Sequence, residues 1–192
     1  MRIKPVFNQV YQLAKPYLST RHNSVHTEIC LRFAYQLLRA EGGQKSIVIP
    51  AIILHDVGWV KVPEQLHLQA FGPNATSPEL NRLHEVEGVI IAGGILKQVN
   101  YPKEKTSEII EIIDGHDSRQ EAISLNDRIV KDADKLWRYS KKGFKIDIER
   151  FEESYAQGLN RLRRNLAGWF FTETGKQLAN EELLEREKEA AI

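Results

Sequence analysis

Cysteine and long apolar runs are nearly missing from this chain. Cys30 is its single cysteine, so no disulfide can form within the chain, and we expect a reducing compartment such as the cytoplasm. No apolar run approaches the ~18–20 residues needed to cross a bilayer. The N-terminus begins with basic residues, but its apolar residues are spaced like one face of a helix, so we expect neither a signal peptide nor a membrane anchor.

An excess of one charge is also missing. The chain has 192 residues, and 27 basic against 26 acidic side chains leave a formal net charge of +1. A near-zero balance is unlike that of a dedicated nucleic-acid binder, so we expect no nucleic acid among the partners. There is no glycine-rich phosphate loop and no internal repeat. Hydrophobic residues make up 42%, which is ordinary for a globular protein, and the length predicts one domain over 1–192.

Helical periodicity runs through most of the chain. It predicts helices over about 5–18, 24–39, 47–56, 78–99, 103–115, 125–140 and 151–169, with a charged helical tail. We find no strand ladder, so the fold class is all-α, a bundle of six or more helices. A boundary at Lys141-Lys142-Gly143 separates a core of about 20–140 from a C-terminal helical extension of about 144–192. Periodicity is lost between Gly58 and Ser77, and a loop of that length is often functional.

Two serines are predicted to begin helices. Ser46 as an N-cap starts the third helix and places Pro50 in its first turn, where proline is tolerated. Ser124 and Asp127 resemble a capping box that opens the sixth helix.

Histidine and aspartate occur where charged residues are uncommon. His55-Asp56 closes the apolar segment 51–54, and a buried charged pair needs a partner or a metal ion. The alternative is a helix end that faces solvent. Asp132 and Asp134 lie inside a predicted helix, where they are neither caps nor first-turn acids. Metal binding requires only Asp134 to face inward, and the alternative is that both face water.

The order of these residues resembles the HD-domain superfamily of metal-dependent phosphohydrolases. The resemblance is carried by His26, by Ala51-Ile-Ile-Leu-His-Asp-Val-Gly58, by His84-Glu-Val-Glu-Gly88 and by Asp132-Ala-Asp-Lys-Leu136. It covers about Ser24 to Ser140. It implies an HD-type helical bundle that cleaves a small phosphate ester with a metal-activated water, and it favours nucleotides as the substrate class.

A metal centre is implied by the same resemblance. The family's ligands map onto His26, His55, Asp56, His84, His116 and Asp134. Two of them, His84 and His116, match positions that carry additional ligands in two-metal subgroups, which implies a dinuclear centre with Asp56 as the bridge. The alternative is a single ion, over which these two histidines contact the substrate phosphate. Mixed nitrogen and oxygen ligands favour iron, with manganese, zinc or nickel as alternatives.

Further roles follow for neighbouring polar residues. The expected catalytic residues are His55, Asp56, Asp117 and Lys61. Asp117 is a candidate proton relay, and Lys61 is a candidate phosphate contact from the long loop. The family often has a charged residue just after the His-Asp segment, whereas this chain has Trp59 after Gly58.

Phosphate contacts are also expected from Lys135 and Arg138, which follow Asp134, with a solvated helical face as the alternative. The three arginines 161, 163 and 164 could also bind phosphate, but a solvated face is their default interpretation. Asp132 is expected at most to orient a ligand, and Cys30 to be a buried core thiol.

Two other functions remain open at this stage. The superfamily includes di-iron oxygenases with the same ligand pattern, so the centre could serve redox chemistry. The chain could also be a non-catalytic module that a metal stabilises. The expected partner is a small phosphate substrate, and a homodimer is one option for assembly.

Overall fold

The computed structural model describes residues 5–190, and its all-helical architecture confirms the predicted fold class. No β-strand occurs in that range. The α-helices are α1 (Pro5–Ala14), α2 (Asn23–Glu41), α3 (Lys45–Leu54), α4 (His67–Ala70), α5 (Pro78–Gln98), α6 (Lys103–Ile113), α7 (Leu125–Leu136), α8 (Lys141–Arg150), α9 (Tyr155–Leu166) and α10 (Glu173–Ala190). Short 3-10 turns cover Lys15–Leu18, Val57–Lys61, Glu64–Leu66 and Trp137–Tyr139.

Helix α3 lies at the centre of the bundle. Residues Ile47 to Leu54 are all buried, and α1, α2, α6 and α7 pack around the helix. This agrees with its sequence, which is apolar on nearly every side and so has no face suited to water. The position of α3 matters for function because its C-terminal end holds His55 and Asp56 in the middle of the molecule.

The start of α3 differs from the prediction. The helix begins at Lys45 after Gln44, so Ser46 is not the N-cap and Pro50 lies beyond the first turn. Proline has no N–H to donate to the carbonyl four residues earlier, which belongs to Ser46. The Tyr101 hydroxyl donates to that carbonyl at 2.6 Å and replaces the missing bond. The predicted N-cap of α7 does form, since Ser124 Oγ accepts from the N–H of Asp127.

The predicted boundary at 141–143 is the start of a helix. Ser140 Oγ accepts from the N–H of Gly143 and caps α8. A Cβ at Gly143 would overlap the carbonyl oxygen of Trp137, so the glycine allows the close packing of these two residues. The predicted helix 151–169 is shorter, because a capping box of Ser154 and Gln157 starts α9 at Tyr155. The predicted loop 58–77 contains two 3-10 turns and α4.

The C-terminal helices are fastened to the core through Asp132. Its carboxylate is fully buried and accepts from the N–H groups of Phe171 and Thr172 and from Thr172 Oγ1. These bonds hold the start of α10 against α7. One continuous hydrophobic cluster extends from Phe7 in α1 to Leu183 in α10.

In residues 5–190 no single helix is both long and apolar enough to cross a membrane. In that range, the segments 45–61 and 64–70 reach the required length and apolar composition only when taken together, and the chain bends sharply between them.

Candidate metal centre

All six ligands predicted from the sequence meet at one place inside the bundle. His26 comes from α2, His55 and Asp56 follow α3, His84 comes from α5, His116 follows α6 and Asp134 comes from α7. The four histidines are at most 4% exposed and Asp56 is 6% exposed. Gly58 allows the convergence, because a Cβ there would overlap the carbonyl oxygen of His84 and push the 57–61 turn away from α5.

One group of ligand atoms surrounds Asp134. The Nε2 atoms of His26 and His55 lie 2.9 Å apart. Asp134 Oδ1 lies 3.1 Å from the first nitrogen and 3.4 Å from the second. Two nitrogens and an oxygen thus point at a common centre, as the ligands of one metal ion do.

A second group surrounds His116. Its Nε2 lies 3.2 Å from Nε2 of His84, and Asp117 Oδ2 lies 3.8 Å from the same atom of His84. These three residues also offer one ligand atom each within reach of a single ion.

Asp56 lies between the two groups. Its Oδ2 is 3.4 Å from Nε2 of His26, and its Oδ1 is 3.6 Å from Nε2 of His116 and 3.7 Å from Nε2 of His55. His55, Asp56 and His116 form a third possible ion-binding group.

Backbone carbonyls select the metal-binding form of two histidines. Nδ1 of His55 lies 2.9 Å from the carbonyl oxygen of Ile52, and Nδ1 of His116 lies 2.9 Å from that of Ile113. A carbonyl only accepts, so each Nδ1 carries a hydrogen, and Nε2 is the atom that faces the centre and presents a lone pair whenever the ring is neutral. Ring nitrogens and carboxylate oxygens this close to one another repel unless a proton or a metal ion lies between them. The donor set therefore fits a divalent metal ion.

The charge balance supports the same conclusion. Burial opposes ionisation of Asp56, but the charge of His55 and a hydrogen bond from His116 keep the pKa of its carboxyl well below the usual range. Burial and the nearby His116 lower the pKa of His84 to about 3, so this imidazole is neutral. Burial also works against a charge on His116, yet the surrounding carboxylates raise its pKa to about 10. The ionised carboxylates of the centre therefore favour a positive charge beside them.

Trp59 supports the centre, a role that the sequence did not reveal. Its indole N–H donates to Asp56 Oδ1 at 3.0 Å. Its ring stacks on the imidazole of His84, with 4.1 Å between centroids and 14° between planes. The residue that departs from the family pattern therefore orients two ligands.

Two buried charges support the turn that carries His116 and Asp117. Glu85 accepts from the N–H groups of Asp117 and Ser118, both at 2.9 Å. Lys131, which is 1% exposed, donates to the carbonyls of residues 115, 116 and 119. In the sequence, each of these two residues appears only as a charged residue within a predicted helix. Helical spacing alone does not show that such a residue is buried.

Three guanidinium groups line the small cavity beside the metal centre, here called the metal cavity. Arg138, His26, Asp56, Asp117 and Asp134 are among its walls, and its volume is about 20 Å³. Arg138 was predicted, whereas Arg21 and Arg150 were not.

Arg21 is held without a polar partner for its side chain. Its guanidinium lies 3.8 Å from the ring centre of Trp59 and 3.9 Å from that of Phe71. Nε and Nη1 are buried and have no hydrogen-bond partner among the described residues, and burial lowers the pKa of Arg21 to about 10. Arg21 also has a left-handed backbone with φ 55°, which costs on the order of 1 kcal/mol.

Asp147 in α8 holds the other two arginines. Its carboxylate is fully buried and lies 2.6 Å from Nη1 of Arg138 and 3.4 Å from Nη1 of Arg150. Arg150 also donates to the carbonyl of Arg21 at 2.7 Å. The extension therefore takes part in building the wall of the metal cavity.

The two lysines predicted to contact phosphate lie elsewhere. Lys61 is exposed at the end of its 3-10 turn and is not among the residues that line the metal cavity. Lys135 donates to the carbonyl of Trp169 at 2.8 Å and lies over the ring of Phe171. Cys30 is a buried thiol beside the ring of His26, as expected.

Comparison with known proteins agrees with this geometry. The family model of the HD domain matches residues 24–138. The matched range contains all six predicted ligands as well as Arg138, and it leaves out Arg21, Asp147 and Arg150. No curated protein and no solved structure shows a significant match to the chain.

Proposed function

The chain belongs to the HD domain family, and we propose that it is a metal-dependent phosphohydrolase that acts on a small phosphate ester. Membership implies a metal-dependent, hydrolase-like protein, and the clustered histidines and aspartates fit the metal. The phosphate ester is the part that the proposal adds.

The observation that carries the proposal is the unpaired guanidinium of Arg21. Buried N–H groups of a charged side chain are costly without a hydrogen-bond partner, and Nε and Nη1 of Arg21 have none, so the natural partner is an anion that arrives with the substrate. Arg138 and Arg150 line the same cavity, and guanidinium groups match the oxygen geometry of phosphate. Three of the ligands, His26, Asp56 and Asp134, line the same cavity, so a phosphoryl group there would be within reach of both the arginines and the metal centre.

The proposed chemistry divides the work between ligands and neighbours. Bound divalent cations lower the pKa of a water and polarise a phosphoryl group. We assign the six ligands predicted from the sequence to a dinuclear centre, with Asp56 between the two groups, and iron as the metal that best fits mixed nitrogen and oxygen ligands. Asp117 is half-exposed on the cavity wall, and Glu85 fixes its backbone, so it is placed to pass a proton between the centre and the leaving group.

The test is turnover of a panel of nucleotides and sugar phosphates after loading with Mn²⁺, Fe²⁺ or Zn²⁺. We expect hydrolysis of at least one ester and its loss in His55→Ala. Turnover with redox-inert Zn²⁺ would exclude the oxygenase interpretation. Metal-loaded protein that cleaves no member of the panel would contradict the proposal.

A second measurement tests the arginine. Arg21→Gln should raise KM for the ester roughly tenfold or more, because a charged hydrogen bond is lost. Arg163→Gln is the matched control, since Arg163 pairs with Glu187 on the outer surface.

A further inference from the structure

The geometry points to a second anion-binding subsite next to the metal cavity, which would take a leaving group that carries its own anionic group. The subsite is a cavity of about 490 Å³ between the 72–73 turn, α9 and the segment after α9, here called the arginine cavity. The residues that argue for it are Arg138, Phe151, Arg161, Arg164, Asn165 and Trp169. The inference rests on the proposed function, because it concerns the part of the ester that is not the phosphoryl group.

Size shows that most of the substrate must lie outside the metal cavity. The metal cavity, at about 20 Å³, is far smaller than the ~300–1,000 Å³ of sites that enclose a small organic ligand. The site can therefore receive little more than the phosphoryl group. The arginine cavity is within the usual size range of small-ligand sites, and it shares Arg138 with the metal cavity. One guanidinium thus faces both spaces.

A second large cavity also adjoins the metal cavity, but the charges of its lining residues differ from those of the arginine cavity. A cavity of about 740 Å³ shares Arg21 and Arg150 with the metal cavity, but Glu64 and Glu149 also line it. Those two carboxylates oppose an anion. The arginine cavity has three arginines and no acidic residue among its lining residues.

Arg164 is the one arginine of this cavity that remains free for a ligand. Arg138 is paired with Asp147, and Arg161 is paired with Glu153 at 2.8 Å. Arg164 makes no hydrogen bond or ion pair within residues 5–190, and it is exposed. The paired arginines give the wall a fixed shape, whereas Arg164 supplies an uncompensated charge at its edge.

The remaining walls fit the organic part of the same leaving group. Phe151 and Trp169 provide aromatic surface, and the amide side chain of Asn165 has no hydrogen-bond partner among the described residues. The expected ligand is therefore an organic phosphate whose second anionic group reaches Arg164 while its carbon skeleton lies against the rings.

The experiment compares pairs of substrates that differ only in a second phosphate. The probes are adenosine 5′-monophosphate against adenosine 3′,5′-bisphosphate, and fructose 6-phosphate against fructose 1,6-bisphosphate. We expect a lower KM for the bisphosphate in at least one pair. Arg164→Ala should raise that KM roughly tenfold and leave the KM of the monophosphate within about twofold. A bisphosphate advantage in neither pair, or one that survives in Arg164→Ala, would overturn the subsite.

The matched control is Arg163→Ala, which removes the neighbouring arginine of the same helix. Its guanidinium contacts Asn160 and Glu187 and does not line the cavity, so we expect wild-type KM values. Quenching of tryptophan fluorescence by each probe, measured with Zn²⁺ bound, separates this inference from the proposed function. Arg164-dependent binding without turnover would contradict the proposed hydrolysis but not the subsite. Turnover without Arg164 dependence would contradict the subsite but not the proposed hydrolysis.

Discussion

The metal ligands and the arginines that face them are positioned by different parts of the molecule. Every ligand lies on a core helix or in the turn that follows one, within the 24–138 range shared with the HD domain. The arginines come from the turn before α2, from the turn after α7 and from α8, and a single buried carboxylate, Asp147, holds two of them.

This difference indicates how the molecule separates two tasks. The bundle core provides the histidines and aspartates of the candidate metal centre, within the range that matches the HD domain. The segments at either end of the core provide the wall that would select the anion, so substrate choice can change there without any change in the ligands. Substitutions should therefore divide into those that alter metal content and those that alter KM.

The largest effect is expected for the carboxylates of the core. Asp56→Asn should lose most of the bound metal and reduce turnover by more than ~100-fold, because Asp56 faces both groups of ligand atoms. Asp134→Asn should lose the ion beside His26 and His55. Elemental analysis of the purified variants measures both losses.

Asp132→Asn is the control for that pair. Asp132 points at the start of α10 rather than at the histidines, so the variant should keep its metal. It should lose about 1–3 kcal/mol in the free energy of unfolding, because an amide cannot accept all three hydrogen bonds. Metal loss in Asp132→Asn with metal retained in Asp134→Asn would reverse the assignment of the two residues.

Trp59→Phe tests whether the centre depends on its neighbours. The variant keeps an aromatic ring on His84 but loses the N–H that orients Asp56. Loss of such a supporting bond costs ~10–100-fold in metal affinity or activity. Titration with Mn²⁺, followed by activity, measures the shift. Unchanged metal affinity and turnover would show that Asp56 needs no such support.

Asp147→Asn tests the arginines that face the metal centre. Breaking a buried ion pair destabilises a protein by roughly 3–5 kcal/mol, so the melting temperature should fall. In the fraction that remains folded at low temperature, KM for the phosphate ester should rise about tenfold, because Arg138 and Arg150 lose their anchor. Metal stoichiometry should not change. A loss of metal with an unchanged KM would contradict the division between core and extension.

The smallest effect is expected far from both regions, at Tyr101. Burial raises the pKa of its phenol to about 12, above the usual ~10. The folded state therefore holds this proton more tightly, and the associated stability is complete below pH 10 and is lost as the pH rises from 10 to 12.

Tyr101→Phe should remove that part of the pH dependence and cost about 1 kcal/mol at neutral pH, since the Ser46 carbonyl loses its donor. Urea unfolding of the wild type and the variant between pH 8 and 11 measures both the constant loss of stability and the part that depends on pH. Metal content and KM should remain those of the wild type. A change in either would show that the far end of α3 is coupled to the centre.

The metal ligands could be named from the sequence because their order and neighbouring residues resemble the HD-domain pattern. His55-Asp56 after an apolar helix and Asp134 in the 132–136 segment match that pattern, whereas spacing within one helix left a solvent-facing alternative open for each. The capping residue Ser124, in contrast, was predicted from a short local pattern. Ser46 is not the cap, because the carbonyl of Gln44 already accepts from the N–H groups of Ile47 and Val48, which places Ser46 inside α3.

Helical periodicity by itself thus determined the all-α class and the core helices, and the resemblance to the HD-domain pattern named the residues of the metal centre. Only the tertiary structure decided which charges face that centre. Arg150 and Arg21 are 129 positions apart in the chain but joined by a hydrogen bond, and no local pattern encodes a contact of that separation. The pairing of Asp147 and the exposure of Lys61 likewise depend on how α8 and the 57–61 turn pack. The sequence gives the identity of each side chain. Its orientation and burial arise only when distant segments pack together and exclude water.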